Sequence, residues 1–156
     1  MEEIRIVHVE PMMVLGMRKR GKYEEIGQLV QRLAQYAGEK GIQIQGPPIY
    51  VGHEMSQEEA IKADQDGTAD LEVAFPVGGS VEATAEFKYY RLPGGKMAKM
   101  SHKGPYEDCG PTYDRLFAWL GENRKKVVGP IREVYLNDPR TVPRNELLTD
   151  IYAPLE

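Results

Sequence analysis

One carboxylate stands out because of its neighbours. Glu133 lies in the segment 131–136, where strand-like alternation places it on one face with Ile131 and Tyr135. A carboxylate on an apolar, aromatic face must be solvated, paired or hydrogen-bonded, because burying a bare charge costs free energy. Glu133 is therefore either an ordinary solvated or Arg-paired glutamate, or the floor of an aromatic pocket that takes a cationic or polar ligand.

Tyrosine is the residue type available to line such a pocket. The chain contains nine tyrosines, three phenylalanines and one tryptophan, and a tyrosine offers both a ring face that attracts cations and a hydroxyl. Phe117 lies within the apolar stripe of a predicted helix and is expected in the core. The residues that we expect to contact a ligand, together with Glu133, are Tyr50, Tyr106, Tyr113, Trp119, Tyr135 and Tyr152.

The other reactive residue types do not form a recognisable metal or cofactor site. The three histidines lack the i, i+4 spacing of metal ligands, and the sequence has neither a P-loop nor a Gly-x-Gly-x-x-Gly motif. Cys109 is the one cysteine, so no internal disulfide can form. Because it follows two acidic residues, which would raise the pKa of its thiol, a nucleophilic role is not expected. We predict no metal and no cofactor.

An internal repeat positions the candidate residues. At an offset of 83 residues, 17–51 aligns with 100–134 without a gap, and 12 of the 35 positions are identical, where chance would give roughly two. The two copies, about 1–78 and about 80–156, are predicted to form one domain over 1–156 with pseudo-twofold symmetry.

Each copy is predicted to fold as β-α-β-β, which gives an α+β fold with mostly antiparallel sheet and helices on one side. Apolar residues recur with a period of 3.6 over 23–39, and again from about Cys109, where the helix follows a looser turn because Pro111 cannot lie deep inside it. Strands are predicted at 4–17 (one or two strands), 48–53, 71–77, 84–92, 96–102, 131–136 and 148–152.

The alignment of the two copies pairs Tyr50 with Glu133. If Val51, Val134 and Leu136 face the helices, Tyr50 and Glu133 face away from them. Related by the pseudo-twofold, these two side chains would then meet across a central cleft between the copies, which is the predicted ligand site.

Two connecting segments carry further predictions. The segment 54–70 holds six acids and one lysine, which favours a solvated loop with one helical turn near 57–63, the alternative being a mobile lid. The sequence Pro93-Gly94-Gly95 is predicted to be the hairpin turn that joins the strands on either side of it.

Composition restricts the class of protein. A net charge of −4 and a pI near 5.5 argue against direct binding to nucleic acid, which needs a basic surface. No apolar run approaches the ~20 residues of a membrane span, and the N-terminal residues lack the order of a signal peptide. We expect a cytoplasmic protein without membrane attachment.

Several of these residues together resemble a known family. Gly104-Pro105-Tyr106-Glu107, Tyr113 and Trp119 on the helix, Glu133-x-Tyr135 and Asn137-Asp138-Pro139 resemble the pattern of the GyrI-like small-molecule-binding family, the effector-binding domain of AraC- and MerR-type multidrug regulators. The resemblance covers essentially the whole chain and implies two β-α-β-β units with a central cleft. It also implies that Glu133 contacts hydrophobic, often cationic, compounds. Because residue 1 already opens the first strand, we expect a stand-alone form without a helix-turn-helix.

Three functions remain open. The first is a stand-alone binding protein that senses or sequesters hydrophobic, preferably cationic, small molecules through Glu133. The second, implied by stand-alone relatives, is a hydrolase of reactive cyclopropane-containing genotoxins, in which Glu133 acts on water and Tyr135 or Tyr113 donates a proton. The third is inhibition of DNA gyrase by protein–protein contact. A separate regulator or gyrase is accordingly the protein partner to test.

Overall fold

The computed structural model describes residues 3–156 and shows the predicted α+β fold. The chain divides into two compact units. The continuous unit is Pro11–Pro93, and the discontinuous unit joins residues 3–10 to Gly94–Glu156. None of the helices within residues 3–156 is long and apolar enough to cross a membrane. The strands are β1 (Arg5–Val9), β2 (Met12–Gly21), β3 (Gln43–Ile44), β4 (Ile49–Gly52), β5 (Ala69–Gly78), β6 (Lys88–Leu92), β7 (Gly95–Lys103), β8 (Ile131–Tyr135) and β9 (Leu148–Pro154), and the helices are α1 (Ile26–Glu39), α2 (Gln57–Asp66) and α3 (Gly110–Glu122).

The continuous unit is built on β5. This strand pairs antiparallel with β2 and β4, and β2 pairs on its other edge with β6. The short β3, which the sequence prediction misses, also pairs with β5. Helix α1 packs against β5 and β2, and it buries Leu29, Leu33 and Ala37. These residues follow the 3.6-residue stripe that predicted the helix.

The discontinuous unit is built on β7 and β9. These two strands pair antiparallel, with β1 on the other edge of β7 and β8 on the other edge of β9. Helix α3 packs its buried side chains Leu116 and Leu120 onto this sheet. The apolar core of the unit is therefore a helix-on-sheet cluster, formed with Ala98, Met100, Ile151, Ala153 and Leu155.

The internal repeat is visible in the order of the elements. An offset of 83 residues relates β2 to β7, α1 to α3 and β4 to β8, and it relates the 3-10 turn Tyr23–Glu25 to the 3-10 turn Tyr106–Asp108. The expected looser turn before the second helix is this 3-10 turn. Pro111 lies in the first turn of α3, where a missing N–H leaves no hydrogen bond unmade.

The predicted hairpin at Pro93-Gly94-Gly95 is wrong. The strand before it, β6, pairs with β2, and the strand after it, β7, pairs with β1 and β9. The turn instead joins the continuous unit to the discontinuous one. Turn residues predict a change of chain direction, whereas the pairing of the flanking strands depends on partners far away in the sequence.

The segment 54–70 contains the ten-residue helix α2 rather than a loop with a single helical turn. Ser56 caps the helix by accepting a hydrogen bond from the backbone N–H of Glu59 at 3.0 Å, and Glu59 accepts one from the backbone N–H of Met55 at 2.9 Å. Gly67 ends the helix in the left-handed conformation, with φ of 65°. The Ser-x-x-Glu signal of a helix start was present in the sequence, but the segment has almost no apolar stripe.

Candidate functional site

Glu133 lies in the middle of β8, on the face of the sheet that α3 covers. It is directly opposite Ile151 on β9, and Ile151 packs in one apolar cluster with Leu116 of α3. Opposed residues of an antiparallel pair project to the same side, so Glu133 points toward α3 and Val134 points away from it. The expected orientation, with Val134 toward the helix, is wrong, because strand alternation defines two faces without saying which one a helix covers.

Both carboxylate oxygens of Glu133 accept hydrogen bonds from tyrosine hydroxyls. Tyr113 of α3 donates a short hydrogen bond to Oε2, and Tyr135 of β8 donates to Oε1 at 3.0 Å. Hydrogen bonds to an ionised group are stronger than neutral ones, so the two hydroxyls hold the carboxylate between strand and helix. Within residues 3–156, the ion pairs of this unit fall instead on other acids: Glu10, Glu107, Asp138 and Asp150.

Each of the two tyrosines that donate to Glu133 has a second aromatic ring beside it. The Tyr106 ring lies 5.1 Å from the Tyr135 ring between centroids, at an interplanar angle of 58°. The Tyr113 ring lies 6.2 Å from the Phe117 ring at 26°. The unit thus brings together Glu133, Tyr135, Tyr113 and Tyr106 of the predicted site residues.

The electrostatics of the site identify which groups lie near the carboxylate. Burial, and next the charge of Asp138, raises the pKa of the Tyr106 hydroxyl, with smaller contributions from Cys109 and Glu133. Burial also raises the pKa of the Cys109 thiol to about 12, followed by the charges of Glu133 and Asp108. The thiol is protonated at neutral pH, in the direction expected from the sequence, and a protonated thiol is a poor nucleophile.

His102 fixes the chain at the start of α3. It is buried on β7, and its Nε2 lies 2.9 Å from the carbonyl oxygen of Pro105 while its Nδ1 lies 2.8 Å from the hydroxyl oxygen of Thr112. A carbonyl can only accept, so Nε2 donates, and in the neutral ring Nδ1 accepts from Thr112. His102 thereby holds both sides of the turn that carries Tyr106.

The Asn-Asp-Pro motif borders the site after β8. Asn137 donates from Nδ2 to the carbonyl oxygen of Glu146 at 3.1 Å and accepts at Oδ1 from the backbone N–H of Leu148 at 3.0 Å. Asp138 is hydrogen-bonded by Arg140, which lowers the pKa of Asp138 to about 2. The carboxylate of Asp138 is consequently ionised at neutral pH, and its charge acts on Tyr106.

Three of the predicted site residues have other surroundings. Trp119 packs against the apolar core of the discontinuous unit. Tyr152 projects from the face opposite to Glu133, with the ammonium of Lys99 5.6 Å from its ring centroid. Tyr50 belongs to the continuous unit, where it is buried and its ring meets Tyr23 edge-on at 6.4 Å.

Two residues beside the site are missed by the sequence prediction. Phe117 was expected in the core, but 49% of it is exposed, because Leu116 and Leu120 occupy the buried stripe and each helical residue turns the chain by about 100°. Its i, i+4 spacing from Tyr113 was an available signal. His102 gave no such signal, since one of its partners is a backbone carbonyl.

The continuous unit has a buried carboxylate of its own. Glu72 of β5 accepts a hydrogen bond from the Tyr90 hydroxyl at 2.6 Å, and its other oxygen lies 2.6 Å from Nε2 of His53. Burial, and next the hydrogen bond to Glu72, strongly raises the pKa of Tyr90. Gly16 lies under the Tyr90 ring, where a Cβ would overlap the hydroxyl. The polar side chains of this cluster, Glu72, Tyr90 and His53, are therefore hydrogen-bonded to one another.

Comparison with known proteins identifies the family. The sequence profile described as GyrI-like small molecule binding domain matches residues 2–156. The chain belongs to the GyrI-like family. The match confirms the resemblance seen in the sequence, and it makes the chain a GyrI-like small-molecule-binding domain. No curated protein matches it.

Solved structures share the GyrI-like fold at low sequence identity. The C-terminal domain of EcmrR has a TM-score of 0.87 at 17% identity, covering 99% of this chain and 98% of that chain. In an EcmrR–DNA complex the match, also with a TM-score of 0.87 at 17% identity and 99% of this chain, covers 57% of the EcmrR chain. The GyrI-like chain is thus little more than half as long as that protein.

Two further solved structures with this fold are a hydrolase and a complex with an organic cation. A hydrolase from Listeria innocua encoded by lin2189 has a TM-score of 0.70 at 16% identity, covering 99% of this chain and 92% of that chain. SAV2435 bound to tetraphenylphosphonium has a TM-score of 0.62 at 14% identity, covering 99% and 94%. At these identities the similarity shows the GyrI-like fold alone.

Proposed function

We propose that this GyrI-like domain senses or sequesters hydrophobic cations, and that Glu133 is the residue that meets their charge. The observation that carries the proposal is the way this carboxylate is held. Its two oxygens accept hydrogen bonds from the neutral hydroxyls of Tyr113 and Tyr135. Neutral donors orient a carboxylate without cancelling its charge, so a cationic ligand would supply the missing counter-charge.

The rings around Glu133 suit the apolar part of such a ligand. Tyr106, Tyr113 and Tyr135 present aromatic surface next to the carboxylate. A cation over an aromatic face gains about 0.5–2 kcal/mol for each good contact. The combination therefore favours organic cations with apolar substituents over metal ions, which prefer several oxygen ligands.

The ligand of one structural neighbour has this chemistry. SAV2435 was solved with tetraphenylphosphonium, a cation enclosed by four phenyl groups. The likeness to SAV2435 extends over 99% of this chain. We therefore take phosphonium compounds as the first probes for this protein.

A matched pair of ligands tests the role of the charge. Methyltriphenylphosphonium is cationic, whereas triphenylphosphine oxide has nearly the same shape and no net charge. We expect Glu133→Gln to weaken binding of the phosphonium about tenfold or more and binding of the oxide less than about twofold, measured by calorimetric titration.

The control removes a charge elsewhere in the same unit. Glu122 is exposed at the end of α3, so Glu122→Gln removes the same single negative charge and should leave both affinities unchanged. Equal losses for the two ligands in Glu133→Gln would show that the carboxylate does not recognise charge.

Hydrolysis is the second candidate, and the pairing of a carboxylate, Glu133, with two hydroxyl donors, Tyr113 and Tyr135, favours it. In a hydrolase, Glu133 would accept a proton from the water as the water oxygen bonds to a cyclopropane carbon and a ring C–C bond breaks. Tyr113 or Tyr135 would then protonate the group of the substrate that takes up the electron pair of that bond. The test is turnover of a reactive cyclopropane-containing compound followed by mass spectrometry. Product in molar excess over protein, lost in Glu133→Gln, supports an enzyme, and stoichiometric protection without product supports binding alone.

A further inference from the structure

Phe117 presents an aromatic surface that the Glu133 site leaves unused. Its ring lies nearly parallel to the Tyr113 ring, and 49% of the residue is exposed. Leu116 and Leu120 of the same stretch of α3 are buried, and Trp119 is partly buried against the core of the unit. Leaving a ring half in water forgoes the free energy that burial would give, so this ring can gain stability by stacking on a ligand.

The surface one turn beyond Phe117 carries no side chain. Gly121 follows at i+4 on the same ridge of α3. A Cβ built on Gly121 would meet no heavy atom within 4 Å. Phe117 therefore adjoins an open shelf on the helix, with Tyr113 at one end and Gly121 at the other. The Gly121 end of this shelf therefore has room for the edge of a flat group.

We propose that Phe117 and Gly121 form a subsite for the planar aromatic part of a ligand whose cationic end lies at Glu133. The inference deepens the proposed function and rests on it. Tyr113 connects the two parts, because its hydroxyl contacts Glu133 and its ring neighbours Phe117. One helical turn, about 5.4 Å, separates Tyr113 from Phe117. The ligand class that would use both parts is thus a cation with an extended fused-ring system, whereas a phosphonium ion would use the Glu133 part alone.

Two cationic probes of different shape test the subsite. Acridine orange is a flat tricyclic cation at neutral pH, whereas the phenyl groups of methyltriphenylphosphonium splay around phosphorus and cannot lie together in one plane. We expect Phe117→Ala to weaken acridine orange about three- to tenfold and to change phosphonium affinity less than about twofold. Phe117→Leu, which keeps apolar area without a ring, should show most of the same loss for acridine orange.

A second variant tests the end of the shelf at Gly121. Gly121→Leu places a side chain on the shelf and should weaken acridine orange selectively, as Phe117→Ala does. Ile61→Ala is the control, because Ile61 is 53% exposed on α2 in the continuous unit, and it should alter neither affinity. Circular dichroism spectra of all variants should match the wild type.

The outcomes separate the two proposals. If Glu133→Gln weakens the phosphonium but Phe117→Ala weakens neither probe, or weakens both equally, the subsite is wrong and the role of Glu133 stands. If Glu133→Gln leaves phosphonium binding unchanged, or wild-type protein binds neither cation, the proposed function fails and the subsite fails with it.

Discussion

The hydroxyl of Tyr113 on α3 donates a short hydrogen bond to Oε2 of Glu133 on β8. This bond ties the helix to the sheet at the point where the discontinuous unit holds a carboxylate among tyrosines. The ring of the same tyrosine neighbours the ring of Phe117, which is exposed. Tyr113 therefore takes part both in the stability of the unit and in the surface that a ligand would meet.

Removing the Tyr113 hydroxyl should destabilise the protein measurably. A hydrogen bond to a charged group contributes about 1.5–3 kcal/mol, so Tyr113→Phe should lower the free energy of unfolding in urea by about that amount. Tyr135→Phe removes the other hydrogen bond to Glu133, which measures 3.0 Å, and should lower the free energy of unfolding by a similar amount. Tyr152→Phe, on the opposite face, is the control, with an expected change below about 0.5 kcal/mol. A control loss as large as that of Tyr113→Phe would contradict this view.

The raised pKa of Cys109 should make the protein less stable at alkaline pH. Its folded value of about 12 exceeds the ordinary value of 9.0, so above pH 9 the unfolded chain releases a proton that the folded chain keeps. This stabilisation is fully present below pH 9 and is lost as the pH rises toward 12. Cys109→Ala should flatten the fall of unfolding free energy in this window by up to about 1.4 kcal/mol per pH unit. Urea titrations at several pH values measure the slope, and an unchanged slope would refute it.

Loss of His102 should loosen the start of α3. Without the imidazole, the carbonyl of Pro105 and the hydroxyl of Thr112 lose their partner, and a buried group left without a hydrogen bond costs about 1–3 kcal/mol. We expect His102→Ala to lower the free energy of unfolding by at least that much and to speed hydrogen exchange in the turn with Tyr106. His8→Ala, an exposed histidine of the same unit, should do neither. Unaltered exchange in the turn would argue that His102 does not position it.

Two glycines should respond to alanine in opposite directions. At Gly16, a Cβ would overlap Tyr90, which binds Glu72, so Gly16→Ala should destabilise the continuous unit by about 1–3 kcal/mol through overpacking. At Gly27 in α1, a Cβ meets nothing within 4 Å, and alanine should stabilise by about 0.5–1 kcal/mol through helix propensity. Thermal unfolding of both variants measures the difference. Similar melting temperatures would contradict the prediction.

Local patterns in the sequence were enough to predict the elements and the candidate carboxylate. The stripe of apolar residues located α1, and the offset of 83 residues located its counterpart α3. Alternation along β8 placed Glu133 and Tyr135 on one face, and the structure joins them by a hydrogen bond. These features depend on residues that are close in the sequence, or on a repeat that can be read directly.

Features decided by distant partners could not be predicted in the same way. Which face of β8 meets a helix depends on α3, so the orientation of Glu133 was assigned incorrectly. The partner of β6 is β2 rather than its neighbour in sequence. Helix α2 was missed for a different reason. The sequence contains its capping residue Ser56, but the helix lacks the apolar stripe by which the other helices were predicted. Long-range contacts determine which strands pair and which face of a sheet a helix covers. The propensities of single residues do not encode these contacts.

The discontinuous unit has consequences for how the protein is made. Arg5 of β1 pairs with Lys99 of β7, so on a ribosome β1 emerges long before its neighbour exists. Residues 11–93 can assemble during that interval, whereas closing so long a loop is slow because of its entropy. The unit that holds Glu133 is completed only when β9 has been synthesised, and nascent chains halted earlier should not retain a cationic dye.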